Sequence, residues 1–280
     1  MNSLTRCKPL LGTFVEVSIG CNCPDKLLVD YSQRAFNEIS RIHGLLGFHD
    51  ENSELSALNR FLLTANNTFM TISDDLVTVL DLAFSLSEKT NGRYDVAIAP
   101  YLVQANNLPN HLNLSDKIHG NSADIQLCGN NIRSTKPACI DLGGIAKGYA
   151  VDCAIRALPN GLDVTINAGG DIYKRYWKEA KVAIKYAKKL SALKTVKMQN
   201  AAVATSGDYE ANLHRHIVDP LDGTPVSICG SVSVFAHSAM IADALTKVVT
   251  LVAPKVSTTI LNSYQAKAVK LNRLGYRKLR

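Results

Sequence analysis

The chain has 280 residues, 46% of them hydrophobic and 20% charged, with a mean hydropathy of +0.01. That balance excludes a disordered chain and a membrane-embedded one, and the length suits one large core or two modest domains. The formal charge of +7 would suit an anionic partner such as a nucleotide, but the C-terminal KLNRLGYRKLR alone supplies five of the cations and reads as a solvated tail; without a basic face interleaved with aromatics, nucleic-acid binding is not expected.

In chain order, MNSLTRCKPLLGTFVEV lacks the apolar core of a secretory leader, so a cytoplasmic location is expected. Gly12 to Ile19 mixes apolar and polar residues as a strand does. In PDKLLVDYSQRAFNEISRIHGLL the apolar Leu27, Leu28, Tyr31, Ala35, Ile39 and Ile42 recur near a helical period, which predicts a helix. A short helix from Ser53 follows. A longer one runs through TISDDLVTVLDLAFSLSEKTNG, where Ser73 can cap, Asp74 and Asp75 favour the positive dipole end, and Asn91-Gly92 stops it.

Residues 103–122, rich in Asn, His and Pro, read as a loop, and DIQLCGNNIRS as a hairpin turning at Gly129-Asn130 or Asn130-Asn131. Strand-like DVTIN, AKVAIKY, AAVATSGDY, RHIVDP, GSVSVFA and AKAVKL then alternate with helices from Ser238 to Val252 and from Lys255. The apolar stretch Ser231 to Pro254 is broken by His237, Asp243 and Lys247, so no membrane span is expected. Seven cysteines, scattered apart from Cys21 and Cys23, read as reduced and mostly buried thiols.

The chemistry concentrates in IDLGGIAKGYAVDCA. Ile140 and Leu142 suggest a strand ending at Gly143, and the helix expected from Ala146 to Ile155 would aim its first N–H groups at a glycine turn carrying Lys147. Such a turn is a ready anion site, although a plain tight turn explains the glycines equally well. Two further turns after strand-like runs, AGGD with Asp171 and ATSGDYE, suggest a phosphate-bearing ligand lying across several strand ends. The Rossmann and P-loop fingerprints are both absent. His214 and His216 alternate on one strand face, and a single general base is favoured over zinc. Asp243 interrupts an apolar helix, where it needs a cation or a metal. A carboxylate near a hydroxyl could hold Mg²⁺, and an Asp243 to Lys247 ion pair is the plain alternative.

Taken in order, LLGTFVEV, NSELSALN, NGRYDVAIAPYL, IDLGGIAKGYAVD, NAGGDI, ATSGDYE, HIVDPLDGTPV and ADALTK resemble the motifs of the ApbE family, FAD-dependent FMN transferases that flavinylate other proteins. The resemblance implies an α+β fold, one domain over 1–280 with mixed, mostly antiparallel sheets and flanking helices, holding FAD with Mg²⁺ at its pyrophosphate. An acceptor protein's Thr or Ser would take FMN, and AMP would leave. Carried over, His216 activates the acceptor hydroxyl and Asp243 serves the chemistry. Ala146, Asp243 and Thr246 hold the metal. Leu11, His49, Arg93, Tyr94, Asp95, Gly143, Gly144, Lys147, Tyr149 and Ile217 line the flavin nucleotide. The chain departs from the family pattern at Lys247, where a metal-binding Thr is expected; Thr246 is displaced by about 100° around the helix. Two other readings follow: an FAD-binding protein that has lost transfer through Lys247, and an FAD pyrophosphatase using water as acceptor.

Overall fold

The computed structural model describes residues 2–66, 68–115, 118, 120–185, 193–207, 217–272 and 275–278, the last four by backbone alone. Its elements run β1 (Asn2–Leu10), β2 (Thr13–Cys21), α1 (Asp25–Leu46), α2 (Glu54–Thr64), β3 (Met70–Thr71), α3 (Asp74–Lys89), α4 (Ala99–Gln104), β4 (Ile125–Cys128), β5 (Asn131–Ser134) and α5 (Ala146–Arg156). Then come β6 (Asp163–Ala168), β7 (Asp171–Lys174), β8 (Lys181–Lys185), β9 (Leu193–Lys197), β10 (Ala202–Gly207), β11 (Ser231–Ala236), α6 (Ala239–Leu251), α7 (Pro254–Ser263), β12 (Lys267–Asn272) and β13 (Gly275–Lys278).

Eight strands form the main sheet in the order β1-β2-β6-β7-β10-β11-β12-β13, and every described pairing is antiparallel. The expected α+β class holds, with sheets more uniformly antiparallel than the mixed arrangement expected. Helices α1, α5 and α6 lie over β1–β2, β6–β7 and β10–β11 in turn, so the helix layer follows the strand order. Period-two alternation explains the burial: Val15, Val17 and Ile19 of β2 point under the helices, while Phe14 and Glu16 between them are exposed. In β10 to β12 both faces are covered. Ala202, Ala204, Val232, Val234 and Ala268 join the main core, and Val203, Phe235, Val269 and Leu271 face a second cluster with Ile184 of β8.

Two expectations need correction, and one segment without an expectation proves to be a strand. The basic C-terminal run is no free tail, because β12 and β13 pair within the sheet. The N-terminal residues form β1, which turns into β2 through Leu11 and Gly12, both at positive φ. Cys21 and Cys23 are joined as a disulfide, and Cys7, Cys128 and Cys229 are exposed; of the free thiols only Cys139 and Cys153 are buried. Among the described residues no helix is long and apolar enough to cross a membrane.

Candidate functional site

The site is built where α5 meets α6. Ile140 to Leu142 enters it outside any strand, contrary to expectation. Its hydrogen bonds go elsewhere. Asn59, buried in α2, donates to the Ile140 carbonyl at 2.8 Å and accepts the Ile140 N–H at 2.7 Å. The Asp141 N–H donates to the Val96 carbonyl at 2.8 Å. One side chain thus stands in for a neighbouring strand and pins the entry to Gly143-Gly144.

Asp152 of α5 fixes the second helix. Its two oxygens accept the Ala239 and Met240 N–H groups at 2.8 and 2.9 Å, and the Ser238 hydroxyl accepts that of Ile241 at 3.2 Å. The first amides of α6 are therefore satisfied from two directions. Beside this cap the helices touch backbone to backbone, because any Cβ on Gly148 would collide with the Ala239 carbonyl.

This crossing sets Asp243 of α6, 1% exposed, against the start of α5. One of its oxygens accepts Lys147 Nζ at 3.3 Å and the Gly148 N–H at 3.4 Å; the other accepts Lys247 Nζ. Lys147 Nζ also donates to the Gly143 carbonyl at 3.3 Å and lies 3.2 Å from Asp171 Oδ2, an ion pair without hydrogen-bond geometry. Asp171 comes from the β6–β7 turn, where Gly169 and Gly170 both take positive φ as a two-residue hairpin demands. Two carboxylates and two ammonium groups therefore share one nearly dry space.

The electrostatics follow from that company. Burial disfavours the ionised Asp243, but Lys147 and Lys247 overcome this and hold its carboxyl below the usual range. Burial, reinforced by the charge of Asp243, pushes Asp171 up to about 6 against the pull of Lys147. Burial works against the Lys147 charge as well, and Asp171 and Asp243 more than reverse it. The Tyr94 hydroxyl, raised first by burial and then by Asp243, Asp95 and Asp141, stays protonated beside the cluster.

Of the residues expected to line a nucleotide, Gly143, Gly144, Lys147 and Tyr94 gather here. Gly144 carries the Lys247 stem: a Cβ on it would lie 3.2 Å from Lys247 Cε. Burial raises the Asp141 carboxyl, against the pull of the Gly143 N–H and of the exposed His49 nearby. Arg93 donates to Asp219 at 2.5 Å, and Leu11 forms the β1–β2 turn. Asp95 faces inward, accepting the Ser122 hydroxyl at 2.6 Å and the Ala97 N–H at 2.7 Å, and borders a cavity of about 770 Å³ with Tyr101 and Pro220. That volume is of ligand size. Ile217, half-buried, accepts the Val226 N–H at 2.9 Å. Tyr149 turns elsewhere: its hydroxyl donates to Asp75 at 2.6 Å, so it ties α5 to α3 instead of lining the cluster. His214, His216 and residues 208–210 lie outside the described residues.

The donors expected for magnesium do not fit it. Both oxygens of Asp243 already face ammonium groups. Thr246 donates to the Asp243 backbone carbonyl at 2.7 Å and shares a 2.7 Å hydrogen bond with Ser206 of β10, pointing away from that carboxylate. Ala146 begins α5 with its N–H on the Leu142 carbonyl at 2.8 Å. Among the described residues no group of three His, Cys, Asp or Glu side chains could hold a metal.

Sequence reasoning gave no individual role to Asn59, Glu54 or Asp152, although the motifs NSELSALN and IDLGGIAKGYAVD contain them. Ser53 caps α2 and Glu54 accepts the Ser73 N–H and hydroxyl at 2.7 and 2.6 Å, so SEL joins two helix starts, while Asn59 holds Ile140 ahead of the glycine turn. Asp152 could have been found by the argument that found Asp243, an acid among apolar helix positions.

The profile of the ApbE family matches residues 11–270. The chain is 27% identical over 248 residues to a FAD:protein FMN transferase of Haemophilus influenzae, covering 76% of this chain and 71% of that one. It is 26% identical over 236 residues to a FAD:protein FMN transferase of Vibrio cholerae, covering 74% and 69%. In fold it is similar to the flavin transferase ApbE from Vibrio cholerae, with a TM-score of 0.82 at 22% identity over 99% of this chain and 96% of that one. The ApbE protein from Thermotoga maritima gives a TM-score of 0.80 at 22% identity, over 99% and 97%. With the match running over nearly its whole length, the chain belongs to the ApbE family.

Proposed function

We propose that this chain, acting as one domain over 1–280, is a transferase that moves FMN from FAD to a Thr or Ser hydroxyl of an acceptor protein. The observation that carries the reading is the convergence of the Gly143-Gly144 turn, the start of α5, and Lys147 and Lys247 on one point, a place suited to a diphosphate bridge. Family membership and the names of its relatives support the same substrate.

In the step proposed, the acceptor oxygen attacks the phosphorus that carries riboflavin. A new P–O bond forms, the diphosphate P–O bond breaks, and AMP leaves with the electron pair. His216 takes the hydroxyl proton. Ammonium charge offsets the negative charge that builds on the phosphoryl oxygens. The donor set does not suit magnesium, because both Asp243 oxygens face ammonium groups.

Incubating the protein with FAD and a Thr-containing acceptor should give acceptor carrying FMN by mass spectrometry, together with one AMP per transfer. The absence of both products would refute transfer. The Lys247–Asp243 pair favours a second reading, binding without transfer, which predicts intact FAD retained on the protein. FMN and AMP without modified acceptor would instead mark hydrolysis.

A further inference from the structure

The lysine that the sequence brings forward and the lysine that breaks the family pattern differ in their partners: Lys147 bridges both carboxylates, and Lys247 pairs with Asp243 alone. An ammonium has three N–H groups. Lys147 has two hydrogen-bond acceptors, the Gly143 carbonyl and Asp243, and an ion-pair contact to Asp171 besides. Among the described residues Lys247 has two, the backbone carbonyl of Asp243 at 3.2 Å and its carboxylate. One N–H of Lys247 is left for a ligand oxygen, and its side chain is 16% exposed, open enough to meet one.

The placement of Lys247 is built and not incidental. Four residues after Asp243, it shares the same face of α6, so the pair closes within one helical turn. Its stem lies along Gly144, on the glycine turn itself. The charge balance points the same way. Asp171 and Asp243 are matched by Lys147 and Lys247, so an added divalent ion would meet two cations already in place.

We infer that Lys247 is a resident counter-charge for the ligand's diphosphate, standing where a divalent cation would otherwise be needed, so that dinucleotide binding here does not depend on added metal. The inference rests on the functional reading above, in that FAD is the dinucleotide used to probe it.

The test is FAD binding, followed by flavin fluorescence, in chelator and in excess Mg²⁺, for the intact protein, Lys247→Thr and Lys247→Arg, with riboflavin as a ligand lacking phosphate. The intact protein should bind FAD equally, within about twofold, in both buffers, and riboflavin more weakly. Lys247→Thr should lose tenfold or more in chelator and recover with Mg²⁺, while Lys247→Arg stays metal-independent. A tenfold gain from Mg²⁺ in the intact protein, or unchanged binding by Lys247→Thr in chelator, overturns the inference and leaves the functional reading standing. FAD binding absent under all conditions from protein with a cooperative thermal transition overturns both. The comparison within the intact protein decides the matter even if a variant fails to fold.

Discussion

Asn59 illustrates how a single side chain can hold a site it never touches. It satisfies both backbone groups of Ile140, 81 residues away, in a fully buried position. Asn59→Ala would strand a buried N–H and a buried C=O, which predicts a loss of about 2 to 4 kcal/mol in urea unfolding, together with weaker FAD binding as the glycine turn loosens. An unchanged unfolding midpoint would show that these bonds are dispensable. This kind of contact was not legible in the sequence, because its partner is backbone and carries no residue signature. Lys147 and Asp243 were legible for the opposite reason: a lysine in a glycine turn and an acid inside an apolar helix are conspicuous in any chain.

At the level of elements, the α5–α6 pair separates two kinds of glycine. A Cβ on Gly148 would meet the rigid backbone of Ala239 and Met240, whereas one on Gly144 would meet only the end of the flexible Lys247 side chain. Gly148→Ala should therefore destabilise the fold by about 1 to 3 kcal/mol and disturb FAD binding with it. Gly144→Ala should leave the melting temperature nearly unchanged and alter FAD affinity alone. Equal effects of both on stability would contradict this division. Helix α1 was readable from its periodicity, α3 from Ser73 as a cap, α6 as a helix from Ser238, and hairpin β4–β5 from its turn. The strand expected at Ile140 to Leu142 failed because its partners are Asn59 and Val96 and not a neighbouring strand. β1 was missed because only Leu4 and Leu10 of its residues pack against the core.

Across the molecule, one carboxylate joins three helices. Asp75 at the start of α3 accepts from Arg41 of α1 and from Tyr149 of α5 at 2.6 Å. Chiefly through the Arg41 hydrogen bond, and despite some burial, its carboxyl is held below the ordinary value. The stability it lends is complete above the unfolded value near pH 4 and fades as pH falls through the lower folded one. Asp75→Asn should lower stability by about 1 kcal/mol at neutral pH, and the difference should vanish near pH 2. Urea midpoints at both values check this, and a gap that persists in acid would exclude Asp75 as its source. The sheet order and the helix layer above it were legible only as a class, since strands called one by one do not disclose which edges meet. The crossing at Gly148 has a mechanical consequence. With main chain pressed on main chain at Gly148, no rotamer lies at the point of closest approach to act as a spring, and the crossing there has little compliance. Whatever accommodation an incoming dinucleotide requires falls to the swing of one lysine, a stroke of a few methylene groups over an unyielding floor.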